Sequence, residues 1–299
     1  MAEKVYVVFG ATGHVGAVVA RKIAEEGRPV RAVARSAGPL GALARAGAEP
    51  VLGSVDDPVL VRRALDGAGA AFVIVPPYPG PGIRAWQDRV AGILAEGLEA
   101  ARVPYAVALS SLGAQHGSGT GPIAGLHTLE RRLSQVPALS ALFLRPGYYF
   151  ENHLEAIPLV RSAGMSGGAI AAELRFQQLA AADVGEVAAQ RLLALDWRGS
   201  EVLELHGERD LTMAEVTRAL GAAIGRPDLP YVAFPYADAH AAMVRAGLPE
   251  ELAAIYVELA RGLNEGRVQA TQPRSGATST PTSIEAWARS VFAPAFRSS

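Results

Sequence analysis

The sequence predicts an α/β fold: a doubly wound parallel sheet with helices on both faces, followed by a smaller, mostly helical C-terminal lobe. Three observations support this prediction. Short apolar runs alternate with helical patterns about six times between residues 4 and 144. The runs are apolar at successive positions, which is typical of strands that are buried on both faces. A glycine-rich turn joins the first run to the first helical pattern.

The first half of the chain holds the alternating elements. Apolar residues recur at helical spacing from Val15 to Ile23, and Gly27 follows as a helix-ending glycine. Pro76 and Pro77 end the fourth apolar run, because proline has no N–H to donate to a strand ladder. The predicted strands are 4–9, 30–34, 50–52, 70–75, 105–109 and 138–144, and the predicted helices are 15–26, 40–46, 58–65, 84–101 and 126–134.

The alternation stops after about Tyr148. Thr212 and Glu215 have the spacing of a capping box at the start of a helix. The predicted elements here are helices 184–195, 212–224, 248–262 and 284–292, a strand at 202–205 and a polar loop at 269–282. We therefore expect a dinucleotide-binding domain over residues 1–150, with a helix at 183–196 packed back on it, and a substrate-binding lobe over residues 151–299.

Composition excludes several classes of function. The chain has 299 residues, 50% hydrophobic and 19% charged, with a net charge of -1, so no electrostatic feature favours nucleic acid or an anionic membrane as a partner. The absence of cysteine excludes disulfides, thiolate metal sites and a cysteine nucleophile. The histidines show no metal-ligand spacing, so we expect no metal. No run is long enough to span a bilayer, and the first run leads directly into the glycine turn, so we expect a cytoplasmic protein.

The glycine turn at residues 10–16 is the clearest functional motif. It follows a strand and opens a helix, the context in which such a pattern binds a dinucleotide on a Rossmann fold. Gly10 permits the tight turn, Gly13 lets the backbone approach a pyrophosphate, and Gly16 lets the helix pack on the strand. The helix N-terminus presents N–H groups to the phosphates. The cofactor-binding residues predicted in this turn are Gly10, Thr12, Gly13, His14, Val15 and Gly16.

The end of the second strand indicates which dinucleotide is bound. An NAD-binding chain places a carboxylate there, for the ribose 2′-hydroxyl. This sequence instead has Arg35 and Ser36, a guanidinium and a hydroxyl that suit a 2′-phosphate. We therefore predict NADP(H) as the cofactor. The alternative is that Arg35 is a solvated arginine at a strand end.

Several segments in this order resemble the NmrA-like family, atypical members of the short-chain dehydrogenase/reductase superfamily. They are residues 10–16, 35–36, 53–56, 110–111, 127–130, 144–152, 182–187 and 211–215. The resemblance implies a Rossmann fold, bound NADP(H) and a cleft between two lobes. It also implies that Asp56 approaches the adenine, and that Pro76 and Pro77 lie along the ribose. The alternatives are that Asp56 or Asp57 caps the next helix, and that the proline run is a rigid surface loop.

The same resemblance raises the question of chemistry. Classical relatives use a serine, a tyrosine and a lysine four residues after the tyrosine, but lysine occurs here only at Lys4 and Lys22. His127 stands at the lysine position and no tyrosine stands at the tyrosine position. The predicted catalytic residues are His127, Ser110, Ser111 and Tyr148. The alternatives are that the serines cap a strand and that His127 bonds only within its helix or to Glu130.

Two functions follow from these features. The first is an NADPH-dependent reductase that transfers hydride to a small aromatic or quinone-like acceptor, a reaction that depends on positioning more than on a strong acid. The aromatic run at residues 148–150 favours it, since it suits a small-molecule slot. The second is a non-catalytic NADP(H)-binding regulator, which the family also contains. A homodimer is left open by the residues.

Overall fold

Seven parallel strands form the central sheet of the computed structural model, which describes residues 4–38 and 40–298. In chain order the strands are β1 (Val5–Phe9), β2 (Val30–Ala34), β3 (Glu49–Leu52), β4 (Ala68–Val73), β5 (Tyr105–Leu109), β6 (Ser140–Pro146), β7 (Tyr148–Tyr149), β8 (Ser166–Gly168), β9 (Phe176–Leu179), β10 (Ser200–Leu205), β11 (Asp210–Leu211) and β12 (Tyr231–Ala233). The central sheet has the order β3–β2–β1–β4–β5–β6–β10, and all neighbouring pairs in it are parallel. This arrangement confirms the predicted fold class.

Helices cover both faces of that sheet. In chain order they are α1 (Gly16–Glu25), α2 (Leu40–Arg45), α3 (Pro58–Leu65), α4 (Ile83–Ala100), α5 (Ala124–Leu133), α6 (Ile157–Ala163), α7 (Ala181–Ala194), α8 (Met213–Ala223), α9 (Tyr236–Arg245), α10 (Glu250–Asn264), α11 (Ile284–Trp287) and α12 (Ala293–Ser298). Short 3₁₀ helices span Gly121–Ile123 and Phe150–Ala156, and Ala288–Phe292 is a π-helical turn.

Two apolar cores lie on opposite faces of the sheet. On one face α3, α4 and α5 bury Leu60, Leu94 and Leu129 against the strands. On the other face α1, α2 and α7 form the second core. Helices α1 and α7 approach closely, since a Cβ at Gly185 would lie 2.6 Å from the Cβ of Val18. The apolar residues that suggested strands buried on both faces are therefore buried by these two helix layers.

Most predicted elements are present, and two strands are displaced by two residues. The fourth strand is Ala68–Val73, because its ladder with β1 begins at Ala68 opposite Val5. The sixth is Ser140–Pro146: Ala138 has a φ of 60° and belongs to the preceding turn, while Pro146 still pairs with β10. The predicted bounds of the second and fifth strands and of the third helix agree with the structure.

The chain beyond residue 150 contributes to both layers of the molecule. Strand β10 lies beside β6 at the edge of the central sheet, and α7 packs on α1. The capping box at Thr212 and Glu215 is present at α8. The small strands β7, β8, β9, β11 and β12, which the sequence patterns did not indicate, join the helices into a lobe over the sheet's carboxyl edge. The domain boundary near residue 150 stays a prediction.

No helix within residues 4–38 and 40–298 combines the length and the apolarity that crossing a bilayer requires. In the same residues, no group of three or more histidine, aspartate or glutamate side chains is placed to hold a metal ion.

Candidate active site

The glycine turn after β1 is tightly folded. Gly10 has a φ of +68°, in the left-handed region that favours glycine, and its carbonyl accepts a 3.0 Å hydrogen bond from the N–H of Gly13. A Cβ at Gly16 would lie 2.2 Å from the Gly10 carbonyl oxygen, so only glycine fits where α1 begins. Thr12, Gly13 and His14 are exposed, and Val15 is buried. The turn therefore forms an open backbone cradle at the N-terminus of a helix.

The end of β2 lies beside this cradle. The N–H of Ala11 donates to the carbonyl of Val33 over 3.1 Å, which ties the glycine turn to β2. Arg35 and Ser36 follow β2 directly and are exposed. An exposed guanidinium next to a helix N-terminus is suited to a phosphate group.

Two neighbouring aspartates in the loop after β3 have different hydrogen-bond partners. Asp57 is the N-cap of α3, accepting from the N–H groups of residues 59 and 60 over 2.9 and 3.2 Å. Asp56 instead accepts from Trp86 Nε1 at 3.4 Å and lies 3.8 Å from Arg89. A hydrogen bond from Ser54, with those from Trp86 and the backbone and the charge of Arg89, lowers the pKa of Asp56. The capping role thus belongs to Asp57, whereas the partners of Asp56 include Trp86 and Arg89.

A cavity of about 580 Å³ lies over the carboxyl ends of β4, β5 and β6. Helix α10 covers it with Leu252, Tyr256 and Leu259. None of the described residues that line it is charged. Ile74 connects this cavity to the glycine turn, since it lines the cavity and its Cγ2 lies where a Cβ at Gly10 would meet it, at 2.9 Å. The cradle and the cavity are therefore adjacent.

The structure brings most of the predicted site residues of this region to the cavity. Pro76, Pro77, Ser110, Ser111 and Tyr148 line its wall. They come from the ends of three adjacent parallel strands, which share one edge of the sheet.

His127 lies elsewhere. Its Nδ1 is 2.9 Å from the carbonyl oxygen of Ala114, and it lines a second cavity of about 310 Å³ together with Glu130 and Arg145. The preceding residue, Leu126, lines the first cavity. Consecutive residues of an α-helix point about 100° apart, so His127 faces away when Leu126 faces in. A catalytic role for His127 stays a prediction that this geometry does not support.

Ser110 belongs to a buried polar chain. Its hydroxyl donates to Glu130 Oε1 over 2.5 Å. Arg145 Nε donates to the same oxygen over 2.9 Å, and Arg145 Nη2 donates to Glu130 Oε2 over 2.6 Å. The hydrogen bond to Glu130 raises the pKa of Arg145, so the guanidinium remains charged.

Two tyrosines complete the cavity wall. Burial, followed by the charge of Glu155, raises the pKa of Tyr148, and burial, followed by the charge of Glu151, raises the pKa of Tyr149. Both hydroxyls therefore keep their protons near neutral pH. Among the described residues, the buried hydroxyl of Tyr149 has no hydrogen-bond partner.

The profile of the NmrA-like family matches residues 2–287. The chain belongs to the NmrA-like family. A curated relative, an NAD(P)H azoreductase of Xenophilus azovorans, is 29% identical over 254 residues, which are 84% of this chain and 85% of the relative.

Two solved structures have folds similar to that of this NmrA-like protein. An NADPH-dependent quinone oxidoreductase from Escherichia coli, complexed with NADPH, matches with a TM-score of 0.80 and 23% identity, over 96% of this chain and 99% of that one. NmrA, a negative transcriptional regulator in complex with NADP, matches with a TM-score of 0.69 and 20% identity, over 100% and 98%. At these identities the two structures support the fold alone.

The sequence patterns did not indicate the residues that hold helix α10 over the cavity of this NmrA-like protein. Glu251, in the first turn of α10, accepts from the N–H groups of Gly82 and Ile83 over 2.8 and 3.0 Å, which caps α4. Glu258 accepts from the N–H of Gly119 over 2.8 Å. The helical pattern at residues 248–262 predicted the helix, but no local signal identifies caps that lie 168 residues away in the chain.

A buried histidine supports the cavity wall from behind. Gln178 Nε2 donates to the carbonyl of Leu211, so its Oε1 accepts from His153 Nε2 over 3.0 Å. The ring of His153 contacts Tyr148, with centroids 5.6 Å apart. Burial, partly opposed by the bond to Gln178, lowers the pKa of His153 from 6.5 to about 4. The imidazole is therefore neutral in the folded protein near neutral pH.

We expect this histidine to make folding pH-dependent. Between its ordinary pKa and about 4, the unfolded chain binds a proton at His153 and the folded chain does not, so stability falls as pH decreases through that window. The contribution at stake is about 3 kcal/mol. Urea titrations of His153→Gln should lack this part of the pH dependence, whereas the exposed-site variant His116→Gln should keep it. Identical pH profiles for wild type and His153→Gln would contradict the prediction.

Proposed function

We propose that this chain is an NADPH-dependent reductase that transfers hydride to a quinone-like or other conjugated small-molecule acceptor. The observation that carries the proposal is the adjacency of two features at Ile74: a backbone cradle at a helix N-terminus and an uncharged cavity with aromatic walls. The names of the relatives support it, since one is an NAD(P)H azoreductase and another an NADPH-dependent quinone oxidoreductase.

The residues present fit NADP(H). The Gly10–Gly16 contact leaves no room for a side chain where a pyrophosphate would approach, and Arg35 and Ser36 offer their exposed polar groups for a 2′-phosphate. Asp56, which lies beside Trp86 and is not the helix cap, would meet the adenine. Thr12, Gly13, His14 and Val15 would surround the phosphates, and Pro76 and Pro77 the ribose. When bound, the cofactor supplies the hydride.

The cavity contributes to the reaction by positioning the acceptor and by excluding water. Its apolar walls hold a flat conjugated ring and exclude water, which brings the reacting atoms into contact distance. A conjugated acceptor spreads the charge that arrives with the hydride, so no strong acid is required at that moment. Tyr148, which keeps its proton, is the tyrosine of the cavity wall at hand to stabilise the developing oxyanion.

The alternative function is a non-catalytic NADP(H)-binding regulator, which the structural similarity to NmrA suggests. The cavity of about 580 Å³ favours the reductase, because its volume is in the range of small-molecule sites. The decisive test measures NADPH oxidation at the reduced-nicotinamide absorption band with a panel of quinones, azo compounds and simple ketones, beside equilibrium binding of NADPH. We expect turnover of quinones and little with ketones. Binding without turnover across the panel would favour the regulator.

Arg35 should select NADPH over NADH. A close charge-assisted bond to a phosphate contributes about 1.5–3 kcal/mol, so Arg35→Ala should weaken NADPH binding about tenfold or more and leave NADH binding nearly unchanged. Fluorescence titrations with both dinucleotides measure this. Arg289→Ala, at an exposed arginine in the C-terminal lobe, is the matched control. Equal losses for the two cofactors would refute the role of Arg35.

His127 should contribute little to turnover, because it lines the second cavity. A positioned general acid contributes about 10²–10⁴-fold, so we expect His127→Ala to lower kcat less than about tenfold with a quinone. We also expect kcat to be nearly flat from about pH 6 to about pH 8 in the wild type. A loss of about a hundredfold or more, with kcat falling as pH rises across that range, would restore His127 as the acid.

A further inference from the structure

The polar groups around the cavity differ in what they have left to offer a ligand. A serine hydroxyl has one hydrogen to donate and two lone pairs. The hydrogen of Ser110 is donated to Glu130 Oε1 over 2.5 Å. The hydrogen of Ser111 is donated to the backbone carbonyl of Leu112 over 3.0 Å. Both serines line the cavity at the end of β5. What their side chains present to a ligand there is therefore a lone pair.

Arg145 keeps Ser110 in this state. It donates to both oxygens of Glu130, and the two side chains are only 11% and 10% exposed. With Oε1 accepting from both Ser110 and Arg145, the carboxylate has no hydrogen to return to the serine. Bidentate pairs of this kind are strong and geometrically specific. Removing either partner leaves a buried charge unpaired, so the arrangement is held firmly.

Tyr149 is half-buried and lines the same cavity, and its hydroxyl has no hydrogen-bond partner among the described residues. That hydroxyl oxygen is itself closed to solvent, so it presents no hydrogen to a ligand in the cavity.

We propose that Glu130 and Arg145 are positioning residues that make Ser110 a hydrogen-bond acceptor, so that the cavity favours conjugated acceptors carrying an N–H or O–H donor beside their carbonyl. Ser110 accepts from that donor. This inference rests on the proposed reductase function. It assigns Ser110 the reverse of the donor role that a serine would have in activating a carbonyl, and it gives Glu130 and Arg145 a purpose beyond stability.

The test compares two substrates that differ by the replacement of one N–H hydrogen with a methyl group. One is a methylamino-naphthoquinone, which has an N–H beside the carbonyl, and the other is its dimethylamino counterpart, which has none. For the wild type we expect kcat/KM to favour the N–H compound about threefold to tenfold, the effect of one hydrogen bond. In Ser110→Ala the ratio should fall by that same factor. Intrinsic differences in reactivity between the two quinones cancel when the variant's ratio is divided by that of the wild type.

Glu130→Gln should change a quantity that a purely structural role of Glu130 would leave unchanged, namely the preference between the two quinones. Either orientation of its carboxamide gives up one bond from Arg145, because both oxygens of Glu130 accept from that residue. With the NH₂ group in the place of Oε1, the oxygen keeps the bond from Arg145 Nη2, and the NH₂ group donates to Ser110, which frees the serine's hydrogen for the cavity. The preference for the N–H compound should disappear or reverse. A structural role would instead lower kcat/KM for both quinones equally.

Equilibrium binding separates this inference from the proposed function. Both quinones are titrated into the NADP⁺-loaded protein and followed by tryptophan fluorescence. If neither is reduced but the N–H compound binds more tightly and Ser110→Ala removes the difference, the inference stands and the reductase proposal fails. If both are reduced and the wild type and Ser110→Ala show the same ratio in kcat/KM and in binding, the inference is overturned and the reductase stands. Should Glu130→Gln fail to fold, Ser110→Ala alone decides.

Discussion

Everything at this site depends on the parallel arrangement of the central sheet. Because all seven strands run in one direction, their carboxyl ends meet at one edge, and residues far apart in the chain become neighbours there. The glycine turn leaves β1, Arg35 leaves β2, Ser110 leaves β5 and Tyr148 follows β6. The order of the strands reverses at β1 and β4, which opens the space that the cradle and the cavity share. Helix dipole, guanidinium, serines and tyrosines are therefore assembled by topology.

A buried ion pair lies at that edge of the sheet and orients a polar group of the cavity wall. Glu130 on α5 and Arg145 on β6 are each about nine-tenths buried, and Ser110 on β5 completes their hydrogen bonds. Such a pair costs desolvation energy and often contributes little net stability. Its retention between two cavities is more understandable as a device that orients a hydroxyl. The same pair separates the apolar cavity from the polar one that contains His127.

In the C-terminal part of the chain, carboxylates that accept from backbone N–H groups hold segments over the cavity and along the edge of the central sheet. Glu251 and Glu258 fasten α10 over the cavity. At the sheet's edge, Glu204 on β10 is fully buried and accepts from the N–H groups of Thr271 and Gln272 and from the Thr271 hydroxyl. The polar segment that the sequence marked as a loop therefore runs along an otherwise unpaired edge strand, which protects that edge from pairing with other chains.

Local patterns in the sequence determined the fold class and the cofactor half of the site. The alternation of elements, the spacing from Gly10 to Gly16 and the replacement of a carboxylate by Arg35 depend on residues close together in the chain, and each has a direct conformational or chemical meaning. The displaced bounds of β4 and β6 depended on strand register, which is set by a neighbour. The tertiary structure alone decided the chemistry of the cavity. It turned Leu126 inward and His127 outward, joined Ser110 to a carboxylate twenty residues away, and capped α4 from α10. Periodicity identifies a helix and its apolar face, but the partner of each polar side chain depends on which distant segment packs against it.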